Sequence, residues 1–156
     1  IILILTPTQS ISGVIQVVSR VSEVGLHKLH TLKFPLKNVK EVSGSAPIPP
    51  VSNDFITSMG RTNDAILYGG NVELKVTGSD EEINNLAKKL PSTSSKDYGK
   101  PFAEIFKIYK GDFYAIDPNL FSPGKVSVTS LDTGKTFVEG KLNNDLLDKS
   151  FGYEKN

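Results

Sequence analysis

The chain contains no cysteine. Disulfides, zinc knuckles and thiol nucleophiles are therefore excluded from the start. Histidine is almost as scarce. His27 and His30 are the only two, so a three-histidine metal site cannot be built, and no HExxH pattern surrounds them. A carboxylate-only metal site stays open. There is no excess of either charge: the formal net charge is +1 and the basic residues are scattered. A nucleic-acid face usually concentrates Lys and Arg, and that concentration is missing here, so no nucleic-acid partner is expected. Long apolar runs are missing too. The longest opens the sequence, "IILIL" from Ile1 to Leu5. It is too short for a membrane span or a signal peptide's apolar region, and it has no basic leader. No membrane partner and a cytoplasmic location follow as expectations.

What is present describes a globular domain. The chain has 156 residues, 38% hydrophobic and 22% charged. A compact chain of that length buries roughly 68–70% of its unfolded surface, enough for a real core. "IILIL" reads as a buried strand, and its abrupt start without Met suggests a chain that begins inside something larger.

Beyond "TPTQS", the helical period from about Ser10 to Leu32 puts Ile11, Val14, Val18, Val21, Gly25, Leu29 and Leu32 on one broad side. Gln16, Arg20, Glu23 and His27 fall on a narrow opposite arc. Ser10 caps the start and Pro35 stops the helix. "SGSAPIPP" reads as a rigid loop. "SNDFITSMG" predicts a short helix capped by Ser52 or Asn53 and ended by Gly60. "AILYGGNVELKV" predicts a hairpin turning at Gly69, Gly70 and Asn71.

Ser79 and Glu82 make a capping-box pattern before the stripe Ile83, Leu86, Ala87 and Leu90, closed by Pro91. A second amphipathic helix runs from Pro101 to Gly111. "GKVSVTSLDTGKTFVEG" alternates about a turn at Asp132, Thr133 and Gly134, and "NNDLLDKSFGY" gives a short terminal helix. Strands and helices interleave, so the class is α/β, of the mixed α+β kind.

Two groups of residues could carry chemistry. Arg20 and Glu23 lie at i and i+3 and can meet on a helix. On spacing alone this is a surface ion pair. Facing a cleft, the carboxylate becomes a general base, raised by partial burial and lowered by the guanidinium. The second group, Arg61, Asn63 and Asp64, opens the apolar run of "GRTNDAILYGG". It reads either as turn chemistry or as the mouth of a ligand pocket. "STSSKDYGK" lacks the glycine and lysine pattern of a P-loop, and no nucleotide site is indicated.

Several segments resemble methenyltetrahydromethanopterin cyclohydrolases, in order and over nearly the whole chain from Thr6 to Gly152. They are "TPTQS", "SRVSEVGLHKL", "GSAPIPP", "GRTNDAILYGG", "SSKDYGKPFAEIF", "FYAIDPNLFSP", "TGKTF" and "SFG". Family members are longer at the N-terminus, so residues 1–156 are expected to be the C-terminal part, with the N-terminal half absent. The resemblance implies one half of a fold of two intertwined α/β subdomains, assembled as a homotrimer. It also implies hydrolysis of the methenyl bridge of a tetrahydromethanopterin carrier, a pterin substrate, without a metal or resident cofactor. It assigns Glu23 as the acid/base, with Arg20 beside it, and Arg61, Asn63 and Asp64 to the carrier pocket. Some members carry Cys in the proline loop where this chain has Ala46. An alternative is a non-catalytic carrier-binding or assembly half that works only with a partner chain.

Overall fold

The computed structural model describes residues 1–153. Ser10 does cap the first helix, accepting from the N–H of Gly13 at 3.1 Å. The long amphipathic segment is then two helices rather than one, α1 (Ile11–Val18) and α2 (Val21–Thr31). At the break, the Arg20 N–H donates to Val17 at 3.3 Å in place of a regular helical bond. Arg20 becomes the residue that precedes α2, and Glu23 falls in its first turn. The helical period survives the break. Val14, Val18, Val21, Gly25 and Leu29 are buried and Gln16, Arg20, Glu23 and His27 exposed, but Ile11, expected on the buried side, is exposed at the start of α1, and Leu32 is only half-buried.

"IILIL" is not a strand. Among the described residues no strand pairs with it, and its five residues are at least 80% exposed. A strand lies instead at β1 (Val39–Ser45), whose last three residues, Ser43, Gly44 and Ser45, belong to the stretch that reads as loop. β1 is an edge strand, and pairing with β2 (Asn71–Val76) gives its backbone the partners that its side chains do not.

The predicted hairpin through Gly69 and Gly70 is absent. Gly60 to Leu67 lies in α3 (Phe55–Leu67), so "GRTNDAIL" is helix, not the mouth of a strand. Asp54, rather than Ser52 or Asn53, caps α3 and accepts from the Thr57 N–H at 2.7 Å. Gly60 does not end this helix. It is where another helix crosses: a β-carbon there would stand 2.9 Å from that of Ala103.

The remaining elements follow expectation. They are α4 (Asp80–Ala87), α5 (Phe102–Ile108), the hairpin β3 (Lys125–Ser130) and β4 (Thr136–Gly140), and α6 (Asn144–Phe151). Ser79 caps α4, and Gly134 takes the positive φ of 75° that the hairpin turn requires.

The four strands lie in sequence order. β1 is antiparallel to β2, β2 parallel to β3, and β3 antiparallel to β4. The parallel pair places a long crossover between β2 and β3. Alternation along these strands sends Val72, Leu74, Val76, Val126 and Val128 to one face, which α2 and α4 cover. Glu73 and Lys75 point the other way. A second core, around Tyr68, Phe102 and Ile105, is gathered by α1, α3, α5 and α6. The fold is mixed α/β with a four-stranded mixed sheet. Among the described residues no helix is long and apolar enough to cross a membrane.

Candidate active site

Arg20 and Glu23 meet in a two-pronged ion pair. The Arg20 Nε donates to Glu23 Oε2 at 2.7 Å, and Nη2 donates to Oε1 at 2.5 Å. This planar fork orients the carboxylate as well as neutralising it. The Arg20 hydrogen bonds hold the Glu23 carboxyl below its ordinary range, and His27, one turn along, acts in the same direction. The N-terminus of α2 also favours negative charge at this position. Glu23 is thus an ionised carboxylate at neutral pH, able to take a proton.

The pair is open to solvent, with side chains 54% and 59% exposed. Neither side chain lines a concavity among the described residues; only their chain neighbours do. Ser19 and Val21, the neighbours of Arg20, line a concavity of about 350 Å³ whose opposite wall is Gly44, Ser45, Ala46 and Ile48. The helix junction therefore faces the start of the proline loop. The approach is close because Gly44 has no side chain; a β-carbon there would lie 2.7 Å from Ser22 Oγ.

Arg61, Asn63 and Asp64 are brought together on α3, and each is engaged with the chain itself. Arg61 Nε donates to the Ser150 carbonyl at 3.0 Å. Its Nη1 donates to the carbonyls of Pro50 at 3.2 Å and Val51 at 3.3 Å. One guanidinium so joins the proline loop, α3 and the end of α6. Asn63 is half-buried and donates from Nδ2 to the Met59 carbonyl at 2.9 Å.

Asp64 is fully enclosed. Its Oδ1 accepts from the Phe102 N–H at 2.8 Å, and its Oδ2 from Ser150 Oγ at 2.6 Å. Pro101 has no side-chain group to cap α5, so Asp64 caps that helix from α3. Burial pushes its carboxyl up to about 7, against the two hydrogen bonds that favour the charged form.

A third polar cluster escaped the sequence reading. Lys28 is 1% exposed. Its Nζ donates to Asn119 Oδ1 at 2.8 Å and to the Asn119 carbonyl at 3.1 Å. Burial lowers its pKa, and the nearby Asp117 opposes that. The signal was available in part: Lys28 is three residues after Gly25 and seven after Val21, on the buried side of α2. Nothing local could name its partner. Among the described residues no group of three or more acidic or histidine side chains is placed to hold a metal ion.

Comparison with known proteins bears on what this arrangement serves. The family model described as Cyclohydrolase (MCH) matches residues 1–151. A methenyltetrahydromethanopterin cyclohydrolase of Methylobacillus flagellatus is 59% identical over 150 residues, covering 96% of this chain and 46% of that protein. The enzyme of that name from Methylosinus trichosporium is 57% identical over 149 residues, 96% of this chain and 57% of the relative. One from Methanocella arvoryzae is 44% identical over 155 residues, 99% of this chain and 48% of the relative. The chain spans about half the length of the curated relatives it matches. With a matching family model over almost its whole length, the chain belongs to the cyclohydrolase (MCH) family.

Proposed function

We propose that this chain carries the acid/base carboxylate of a methenyltetrahydromethanopterin cyclohydrolase, and that Glu23 is that carboxylate. The observation that carries the reading is the bidentate Arg20–Glu23 pair at the α1–α2 junction. The substrate is the methenyl form of tetrahydromethanopterin, a pterin one-carbon carrier, and the product is its formyl form.

The methenyl bridge is a cationic amidinium. Water adds to its electron-poor carbon, and one C–N bond then breaks. The water oxygen becomes the formyl oxygen. One of its two protons ends on the departing nitrogen and the other is released to solvent. Glu23 takes the proton as the C–O bond forms and returns one as the nitrogen leaves. Its negative charge also favours the cationic bridge. Arg20 keeps the carboxylate ionised and aimed.

The carrier role of Arg61, Asn63 and Asp64 belongs to the same proposal, in two layers. Arg61 and Asn63 are half-buried and would meet the carrier directly, whereas the enclosed Asp64 would act through its hold on α5 and α6. By the same resemblance, the protein acts in the cytoplasm as a homotrimer. A sedimentation mass near 17.0 kDa, that of one chain, in place of three times that value would overturn the trimer.

The test of the base is Glu23→Gln, followed through loss of the methenyl chromophore. Turnover is expected to drop roughly 10²–10⁴-fold with an unchanged circular dichroism spectrum. Full rate in that variant removes Glu23 from the mechanism. A second reading, a carrier-binding or assembly unit that needs a partner polypeptide, is favoured by the exposure of Ile1–Leu5 and of Glu23. Under it, turnover appears only when the N-terminal half of a relative such as the Methylobacillus flagellatus protein is added.

A further inference from the structure

We propose that Lys28 and Asn119 form a latch that sets the rotation of α2, and so aims Arg20 and Glu23. The inference rests on the cyclohydrolase reading for its functional consequence, and on geometry alone for the latch.

The apolar contacts of α2 come from Val21, Gly25 and Leu29, with Val24, Leu26 and Leu32 partly buried beside them, and each such contact is non-directional. No side chain caps its N-terminus: Arg20, which holds that position, has only N–H donors to offer. Lys28 is different. A fully buried ammonium is expensive to desolvate, and a Met of similar length would fill the same space without that cost. What Lys adds is direction: two hydrogen bonds to one residue, at 2.8 and 3.1 Å.

The far side of the latch is itself held. Asn119 lies in the 3₁₀ turn Pro118–Leu120. Asp117 Oδ1 accepts from the Asn119 N–H at 3.0 Å and from its Nδ2 at 3.1 Å. Asp117 Oδ2 accepts from Ser95 Oγ at 2.8 Å and from the Lys96 N–H at 3.1 Å. The Asp117 N–H in turn donates to Asp97 Oδ2 at 2.9 Å, and Tyr109 Oη donates to the same carboxylate at 2.9 Å. The ammonium is therefore moored, through an unbroken run of directional bonds, to the segment flanking α5. The "DYGKPF" and "IDPNLFSP" stretches supply that mooring.

Glu23 is five residues from Lys28 on the same helix, about 7.5 Å along its axis, so the two turn together. A carboxylate carried ~6 Å from the axis moves about 1 Å when the helix rotates by ~10°. A misplacement of that size costs roughly 10²-fold in rate. Lys28, 1% exposed, is thus a positioning residue that acts through Glu23.

The test compares Lys28→Met, Asn119→Ala and their double variant with Ile83→Val, a core substitution in α4 that destabilises without touching the latch. Each full chain is measured for kcat, for KM toward the methenyl carrier, for melting temperature, and for amide exchange in residues 21–31. We expect Lys28→Met to lose tenfold or more in kcat with KM within twofold, and α2 amides to exchange faster. Asn119→Ala should match it, and the double variant should be no worse than either single. Ile83→Val should keep its kcat while lowering the melting temperature. Lys28→Arg, which keeps a cation and its donors, should recover part of the rate. Rates that simply track melting temperature, Ile83→Val included, overturn the proposal, as does wild-type exchange of α2 in Lys28→Met. Should Lys28→Met fail to fold, Asn119→Ala decides by the same readouts. Should the wild-type chain turn nothing over under any condition, the cyclohydrolase reading fails, and amide exchange alone decides the latch.

Discussion

Arg20 and Asp64 show how differently two side chains near a site respond to pH. The Arg20 fork depresses the Glu23 carboxyl. Replacing Arg20 by Met removes that effect, so Glu23 holds its proton to higher pH. On the proposal that Glu23 is the base, the acidic limb of the kcat/KM profile is expected to move upward in pH, with a lower plateau because the carboxylate is no longer aimed; an unmoved limb would count against that proposal. Asp64 runs the opposite way. Its carboxyl titrates at about 7 in the fold against an ordinary 3.8. Between those values the folded chain binds more protons than the unfolded one, so stability falls as pH rises from about 4 to about 7 and levels off above. The slope is at most ~1.4 kcal/mol per pH unit. Asp64→Asn should flatten it, as read from urea midpoints across that range, because the amide can still accept from Phe102 without titrating. The Arg20–Glu23 pair was legible because its members are three residues apart. The Lys28–Asn119 pair, 91 residues apart, was invisible to spacing.

At the scale of elements, legibility followed how much of each element's support is local. α4, α6 and the β3–β4 hairpin carry their own caps or turn residues, and all three are where periodicity places them. Ala65 to Tyr68 misled because a short apolar run does not distinguish a strand from a buried helix turn. Buried against Phe102 and Ile105, it is the end of α3. β1 was missed because Ser43, Gly44 and Ser45 have no strand preference of their own, and their pairing partner lies beyond α3. Gly60 tests this view of α3. As a helix terminator, it would tolerate Ala or gain from it, since Ala in a helix interior is favoured over Gly by about 1 kcal/mol. As a crossing point, it would be overpacked against Ala103, at a cost of about 1–3 kcal/mol. Gly60→Ala is therefore expected to lower the melting temperature, and adding Ala103→Gly should restore much of the loss. Stabilisation by the single substitution would contradict the crossing.

At the scale of the whole molecule, the two cores divide the labour. One, under the sheet, seats the helix that carries Glu23; the other binds α3, α5 and α6 to the proline loop through Asp64 and Arg61. The mixed α/β class was readable from interleaved periodicities. The strand order was not, because it depends on which distant segments pair. That same order governs how the molecule must assemble. The β3–β4 hairpin can close within a few residues of its turn, but β2 finds β3 only after everything from residue 77 to residue 124 has been gathered. Closing so long an excursion carries an entropic penalty before any contact repays it. Within the sheet, the union of its two central strands thus spans the longest loop and carries the largest closure penalty.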